Sequence, residues 1–263
     1  MNLDLIRKDF PILETQVNGH QIVYFDNGAT TQRPLPVVNA VVDYVTHQNG
    51  NPHRGAHIFA ISASEAYDTS KEVVRDFIHA RSEKEIIYTR NTTESLNLVS
   101  RSYGETHLKK GDHILITIAE HHSNLVTWQR AAEKTGAVLD YIYIDKETGH
   151  FPEEELKKID DPRVKILAFA QVSNVLGVEF DPKPLIKRAH AHGAVVVLDG
   201  AQSTPHKQID VQDLDCDFFA FSGHKMCSMG GIGVLYAKEE LLDEMEPFLM
   251  GGDMIETVEE QTT

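Results

Sequence analysis

Ala194-Val195-Val196-Val197-Leu198-Asp199-Gly200-Ala201-Gln202 is the stretch on which the fold turns. Its apolar residues run without alternation, the pattern of a strand buried on both faces of a parallel sheet; a strand with one wet face would alternate. Residues 183–192 before it keep helical spacing and close at Gly193. After it, Cys216-Asp217-Phe218-Phe219-Ala220-Phe221 reads as a second short buried strand, ending at Ser222-Gly223-His224-Lys225-Met226.

Outward from this pair the same alternation repeats. Residues 113–118, 138–144 and 164–170 read as strands, and residues 125–134 and 153–158 as helices. Nearer the N-terminus come a short amphipathic helix over 3–10 stopped by Pro11, a strand over 22–25, helices over 35–47 and 58–80, and a strand over 85–89. Alternating β and α signals imply right-handed crossovers, so the expected fold class is α/β, a three-layer sandwich around a mostly parallel mixed sheet.

With 263 residues and 41% hydrophobic content, the chain can bury one large core, or one core and a small appendage. A formal net charge of −15 argues against a nucleic-acid partner or an anionic membrane, both of which call for basic patches. Cys216 and Cys227 cannot build a disulfide framework, the N-terminus lacks the basic start and apolar core of a signal peptide, and the apolar runs fall short of a membrane span. These features point to a cytoplasmic protein with small-molecule chemistry.

Polar residues stand at the ends of four predicted strands. They are Glu120-His121-His122-Ser123-Asn124, Gln171-Val172-Ser173-Asn174, Asp199-Gly200-Ala201-Gln202 and Ser222-Gly223-His224-Lys225. In an open α/β sheet such ends gather along one edge and form one site. Asp26-Asn27-Gly28-Ala29-Thr30-Thr31 is either a plain turn or a ligand-facing one. Thr92 and Thr93 are candidate N-caps of a helix that follows a strand, and either cap it or help hold a phosphate. His53, Arg54 and His57 lack an acidic or cysteine partner for a metal, leaving an anion-facing loop or a solvated one. No Gly-rich dinucleotide fingerprint follows the first strand, which disfavours a nicotinamide dehydrogenase.

A carboxylate at the end of a buried strand needs a cation or donors, so Asp199 is either salt-bridged or faces a cationic ring nitrogen. Pyridoxal phosphate supplies such a nitrogen, and Lys225 would form its Schiff base and move protons at the substrate carbon. His122 could stack on the ring, Gln202 could donate to the ring oxygen, and Thr92, Thr93, Ser222 and His224 could surround the phosphate. Any one of these could equally be a satisfied core residue; the joint fit is what counts.

Asp199-Gly200-Ala201-Gln202, Ser222-Gly223-His224-Lys225, Glu120-His121-His122, Val172-Ser173-Asn174-Val175-Leu176-Gly177, His53-Arg54-Gly55 and Asp215-Cys216-Asp217-Phe218 together resemble the cysteine desulfurase and selenocysteine lyase family of the SUF sulfur-assembly type. That family lies within the class-V, aspartate-aminotransferase-like pyridoxal phosphate enzymes of fold type I. The resemblance implies a homodimer that takes sulfur from L-cysteine, leaves L-alanine and passes the sulfur to an acceptor protein for iron–sulfur cluster assembly. L-selenocysteine lysis or another lyase reaction on the same scaffold is the alternative, and a catalytically silent, cofactor-binding dimerisation module is a third reading.

The resemblance assigns catalysis to Lys225 and His122, and cofactor binding to Thr92, Thr93, His122, Asn174, Asp199, Gln202, Ser222, His224 and Lys225. Gly28, Ala29 and Asn174 fall on the substrate side, and no metal is implied. It divides the chain into an N-terminal segment of a small domain (1–20), a cofactor-binding large domain (21–250) and the start of a C-terminal small domain (251–263), with the family's persulfide cysteine and carboxylate-binding arginine expected beyond residue 263. One stretch departs from the family pattern. Met226-Cys227-Ser228-Met229-Gly230-Gly231 stands where an aromatic-Gly-Pro-Thr-Gly turn is usual, and the rigid turn that positions Lys225 is expected to be altered.

Overall fold

The apolar run around Val196 lies in the middle of the molecule. A computed structural model describes residues 2–252, 254, 257 and 259–261 of the chain. A small hairpin, β1 (Gln16–Val17) and β2 (His20–Gln21), turns at Asn18-Gly19 and stands apart from the main sheet. The main sheet holds β3 (Ile86–Thr89), β4 (His113–Thr117), β5 (Val138–Ile142), β6 (Val164–Ala170), β7 (Val195–Asp199), β8 (Phe218–Ser222) and β9 (Gly233–Ala237). Their spatial order is β3-β9-β8-β7-β6-β4-β5, so β7 is central. β4 to β8 pair in parallel, and β9 runs antiparallel to both β8 and β3.

Alternate residues of each central strand enter opposite cores, which is why these strands are apolar throughout. Leu167, Phe169, Val196, Leu198, Phe219 and Phe221 join one buried cluster with Ile78 and Ile186, which come from the helices Ile58–Ile78 and Pro182–Ala191. Ile166, Ala168, Val197, Phe218 and Ala220 join another with Leu96 and Trp128, from the helices Thr92–Leu98 and His122–Thr135. The result is helix, sheet and helix in three layers. Phe169, Phe218, Phe219 and Trp128 are fully buried, and burial of each such side chain contributes roughly 1.5–3 kcal/mol. No helix among the described residues is long and apolar enough to cross a membrane.

Three elements differ from the sequence reading. Residues 22–25 form no strand: they are unpaired in any ladder, with Val23 72% and Phe25 92% exposed, so their apolar run marks surface rather than core. β9 follows a Gly-rich turn and was not anticipated; it inserts between β3 and β8. The helix expected over 35–47 is α-helical over Leu35–Asp43 and loosens into a π-turn over Tyr44–Gln48. Of the segment 251–263, residues 253, 255, 256, 258, 262 and 263 lie outside the described residues.

At the edge of the sheet away from the four polar strand ends, Asp217 precedes β8. Its carboxylate accepts from Val196 N–H at 2.7 Å, His190 Nε2 at 2.8 Å and Lys238 Nζ at 2.8 Å. Burial pushes this carboxyl up, but the His190, Lys238 and Val196 donors outweigh burial and hold it below the usual range. Its contribution to stability is therefore present above the unfolded-state pKa and is lost as the pH falls through the lower folded one. Asp217→Ala would leave the buried Val196 N–H unpaired and Lys238 with only Asp215, and is expected to destabilise the protein by about 2 kcal/mol. The midpoint of urea unfolding at pH 7 checks this, and an unchanged midpoint would contradict it.

Candidate active site

Parallel pairing aligns the strand ends. Asp199 is opposite Ala170 on one side and Ala220 on the other, and Gly200 N–H then bonds Ala220 O at 2.8 Å. A methyl group at Gly200 would lie 2.0 Å from Phe219 Cζ, so only glycine lets the chain leave β7 at this angle. Across β9, a Cβ on Gly233 would sit 2.5 Å from Asn91 Cα, and its absence lets the start of the Thr92–Leu98 helix close onto the sheet edge.

A cleft of about 670 Å³ opens at this edge. Gly28, Ala29, Thr92, Thr93, Asn174, Asp199, Gln202, Ser222, His224 and Lys225 all line it, so these dispersed sequence candidates meet in one place. The cap of the helix is Asn91, whose Oδ1 accepts Glu94 N–H at 2.9 Å; Thr92 and Thr93 follow it as the first helical residues. Thr92 is joined to Ser222 Oγ through both its N–H, at 2.8 Å, and its hydroxyl, at 2.7 Å. Gln202 Nε2 donates to Gly28 O at 2.8 Å, tying the two sides of the cleft. His53, Arg54 and His57 do not line it, and His57 caps the helix Ile58–Ile78 by accepting Ala60 N–H at 3.3 Å.

Of the two adjacent histidines, the structure brings His121 to the cleft rather than His122. His121 lines the cleft and caps the helix His122–Thr135, its Nδ1 accepting Ser123 N–H at 3.1 Å. His122 is the first residue inside that helix, is exposed, and is not among the residues lining the cleft. Two adjacent histidines at a strand-to-helix turn cannot be told apart by apolar periodicity; the signal available was that a cap, not a first-turn residue, faces the strand end. Burial and the charge of Lys225 both lower the pKa of His121.

Asp199 is almost wholly buried, and its Oδ1 accepts Ala201 N–H at 2.9 Å. Burial pushes the carboxyl up, opposed by that N–H and by the charges of Lys225 and His121. Lys225 has its ammonium destabilised by burial, with Asp199 as the counterweight, so its amine is more readily neutral and nucleophilic than a surface lysine. Sequence reasoning names Glu120 among the polar strand ends but assigns it no role. It is half-buried next to His121 and accepts from the Thr117 hydroxyl, from Asn124 Nδ2 at 2.7 Å and from Ala170 N–H at 3.1 Å. Burial pushes its carboxyl up to about 7. Arg90 also lines the cleft, paired with Glu94.

A family model described as aminotransferase class-V matches residues 23–263. The chain belongs to this family. Among curated relatives it is 49% identical, over 98% of its length, to a probable cysteine desulfurase of Halalkalibacterium halodurans, and 48% identical, over 96%, to a cysteine desulfurase of Synechococcus elongatus. It spans 63% and 40% of those two relatives. Among solved structures it resembles the cysteine desulfurase CsdA of Escherichia coli, with a TM-score of 0.88 and 39% identity over all of this chain and 64% of that one. It also resembles the apo cysteine desulfurase of Thermococcus onnurineus, with a TM-score of 0.90 and 41% identity over 98% of this chain and 62% of that one.

The family depends on pyridoxal phosphate, and the residues present fit that group. A buried carboxylate with one backbone donor calls for a cationic N–H, and a half-buried lysine stands across the same cleft. In the cofactor-free protein Asp199 and Glu120 both titrate above their ordinary range, so each withdraws stability as the pH rises through the interval between its unfolded and folded pKa. Asp199→Asn keeps the bond to Ala201 and removes the buried charge. Cofactor-free Asp199→Asn protein is expected to melt no lower than the parent at pH 8, while its affinity for pyridoxal phosphate falls at least tenfold. Thermal melts and a fluorescence titration check the two halves, and a lower melt combined with unchanged affinity would contradict both.

Proposed function

We propose that this chain forms the pyridoxal-phosphate-binding part of a cytoplasmic cysteine desulfurase, which converts L-cysteine to L-alanine and hands the sulfur to an acceptor protein for iron–sulfur cluster assembly. The observation that carries this reading is the meeting of the Lys225 amine and the buried Asp199 carboxylate in one cleft. The chain spans only part of its curated relatives, so the whole reaction is inferred from this half of the machinery.

Each residue has a chemical reason for its place. Lys225 would hold the cofactor through its amine, and Asp199 would accept a hydrogen bond from the ring nitrogen and keep it protonated. Gln202 would donate to the ring oxygen, His121 would cover one ring face, and Thr92, Thr93, Ser222 and His224 would offer donors to the phosphate. Asn174, Gly28 and Ala29, which also line the cleft, would face the substrate. When bound, the cofactor supplies an electron sink for charge developing at the substrate carbon. Lys225 would be the group that takes and returns protons there, and the burial that lowers its pKa makes its amine a better base than a surface lysine would offer.

Sulfur acceptance sets the second reading. Cys216 is fully buried, and burial pushes its thiol far above the ordinary range, while Cys227 lines a separate hollow with Ile6, Phe10 and Tyr24. Neither cysteine lines the cleft. The alternative is lysis of L-selenocysteine or of cysteine sulfinate, which needs no protein thiol.

A homodimer is part of the proposal. The helix Ile58–Ile78 exposes Ile58, Phe59, Ile61, Val73 and Phe77, and an apolar groove of about 1100 Å³ lies between this helix and residues 226–234. A monomer seldom leaves so much apolar surface in water.

Protein mixed with pyridoxal phosphate is expected to turn yellow, and borohydride should fix one cofactor mass to the peptide containing Lys225, with Lys225→Ala losing both signals. Protein that stays colourless in excess cofactor would sink the proposal. Alanine release from L-cysteine in the presence of an added thiol supports the desulfurase reading; release from selenocysteine or cysteine sulfinate alone supports the alternative. Sedimentation of the loaded protein should give twice the chain mass, and a monomer at micromolar concentration would rule out the dimer.

A further inference from the structure

The segment 24–33 belongs to no sheet, yet it is bonded to the turn that carries Lys225 almost two hundred residues away. The carbonyl oxygen of His224 accepts from Thr31 N–H at 2.9 Å, from Thr31 Oγ1 at 3.1 Å and from Thr30 Oγ1 at 3.1 Å. Thr31 Oγ1 itself accepts Cys227 N–H at 2.7 Å. One hydroxyl therefore spans the turn, donating to the residue just before Lys225 and accepting from the residue two after it.

Cys227 has φ +66°, in the left-handed region that side chains other than glycine rarely adopt. Such a residue persists only where its surroundings hold it in place. From within the turn, Met226 N–H and Ser228 N–H both bond Gly223 O, at 2.9 and 3.0 Å. The turn contains no proline, and the bond to Cys227 N–H comes from Thr31. The strap is held at its other end too. Tyr24 hydroxyl donates to Thr30 O at 2.6 Å, and Gln202 Nε2 to Gly28 O at 2.8 Å. Thr31 is thus fixed relative to the sheet edge and can transmit that position to the turn.

We propose that Thr31 is a positioning residue for Lys225: its hydroxyl bridges the His224 carbonyl and the Cys227 amide, keeps Cys227 left-handed, and so fixes the lysine in the cleft. The inference rests on the reading of Lys225 as the cofactor-bearing amine, but its mechanical part holds for the cofactor-free protein as well.

The test uses the full chain with three substitutions. Thr31→Val keeps the shape without the hydroxyl, Thr31→Ser keeps the hydroxyl, and Cys227→Gly removes the steric objection to a left-handed residue. In cofactor-free protein, amide hydrogen exchange at Cys227 is expected to rise at least tenfold in Thr31→Val and to stay within threefold of the parent in Thr31→Ser. The pH profile of Lys225 acylation, read by mass spectrometry, should shift in Thr31→Val, return in the Thr31→Val, Cys227→Gly double variant, and remain unmoved in Thr31→Ser. In protein loaded with pyridoxal phosphate, the pH midpoint of the visible band should follow the same order. A fall in melting temperature with both profiles unchanged would reduce Thr31 to a structural role and overturn the proposal, as would Thr31→Ser behaving like Thr31→Val. Should Thr31→Val not fold, the parent decides alone: Cys227 N–H exchanging at an open-loop rate overturns the bridge. Altered exchange and acylation in a parent that takes up no cofactor would leave the bridge standing and remove only the cofactor reading.

Discussion

The parallel ladder through β6, β7 and β8 is the constraint on which the site depends. Its register sets Ala170, Asp199 and Ala220 side by side, and every cleft residue on the sheet leaves the chain within a few positions of that line. Backbone bonds carry the alignment past the strand ends: Gln171 N–H reaches Asp199 O at 3.0 Å, and Gly200 N–H reaches Ala220 O at 2.8 Å. The positions of Asn174, Gln202 and Lys225 relative to one another therefore follow from hydrogen bonding between the buried central strands of the sheet. A one-residue slip would exchange the two cores and break the site at once.

How much of this the sequence discloses depends on what kind of force fixes each element. Strands β6, β7 and β8 are legible because burial on both faces demands apolar residues throughout, and the gathering of polar residues at their ends follows from topology alone. Residues 22–25 carry an equally apolar run and are no strand, because composition records that a surface seeks cover but not what covers it. β9 is a short strand behind a Gly-rich turn, and its antiparallel place between β3 and β8 depends on long-range pairing with no local signature. The cap at Asn91 and the choice of His121 over His122 are matters of a single dihedral step at a helix start, finer than any periodicity. The role of Glu120 was hidden for a different reason: a carboxylate in a polar turn reads as solvated until Thr117, Asn124 and Ala170 are seen to bond it.

Two buried aspartates show how function can be told from stability in this chain. Asp217 and Asp199 belong to neighbouring strands of one sheet and stand at its opposite edges. Asp217 receives three donors, two from residues able to carry positive charge, and its carboxyl is held below the ordinary range. Asp199 receives one backbone N–H, and burial drives its carboxyl the other way. Selection for stability alone would satisfy both alike, since an under-paired buried carboxylate costs free energy in every folded molecule. The deficit at Asp199 sits in one cleft with a half-buried lysine, Lys225, and with His121, whose neighbour Glu120 has its own carboxyl pushed up by burial. A cationic ring nitrogen bound there would supply the missing partner. The edge at Asp217 is complete as it stands, whereas the edge at Asp199 leaves a buried carboxylate with a single donor, the kind of deficit that a bound cation would fill.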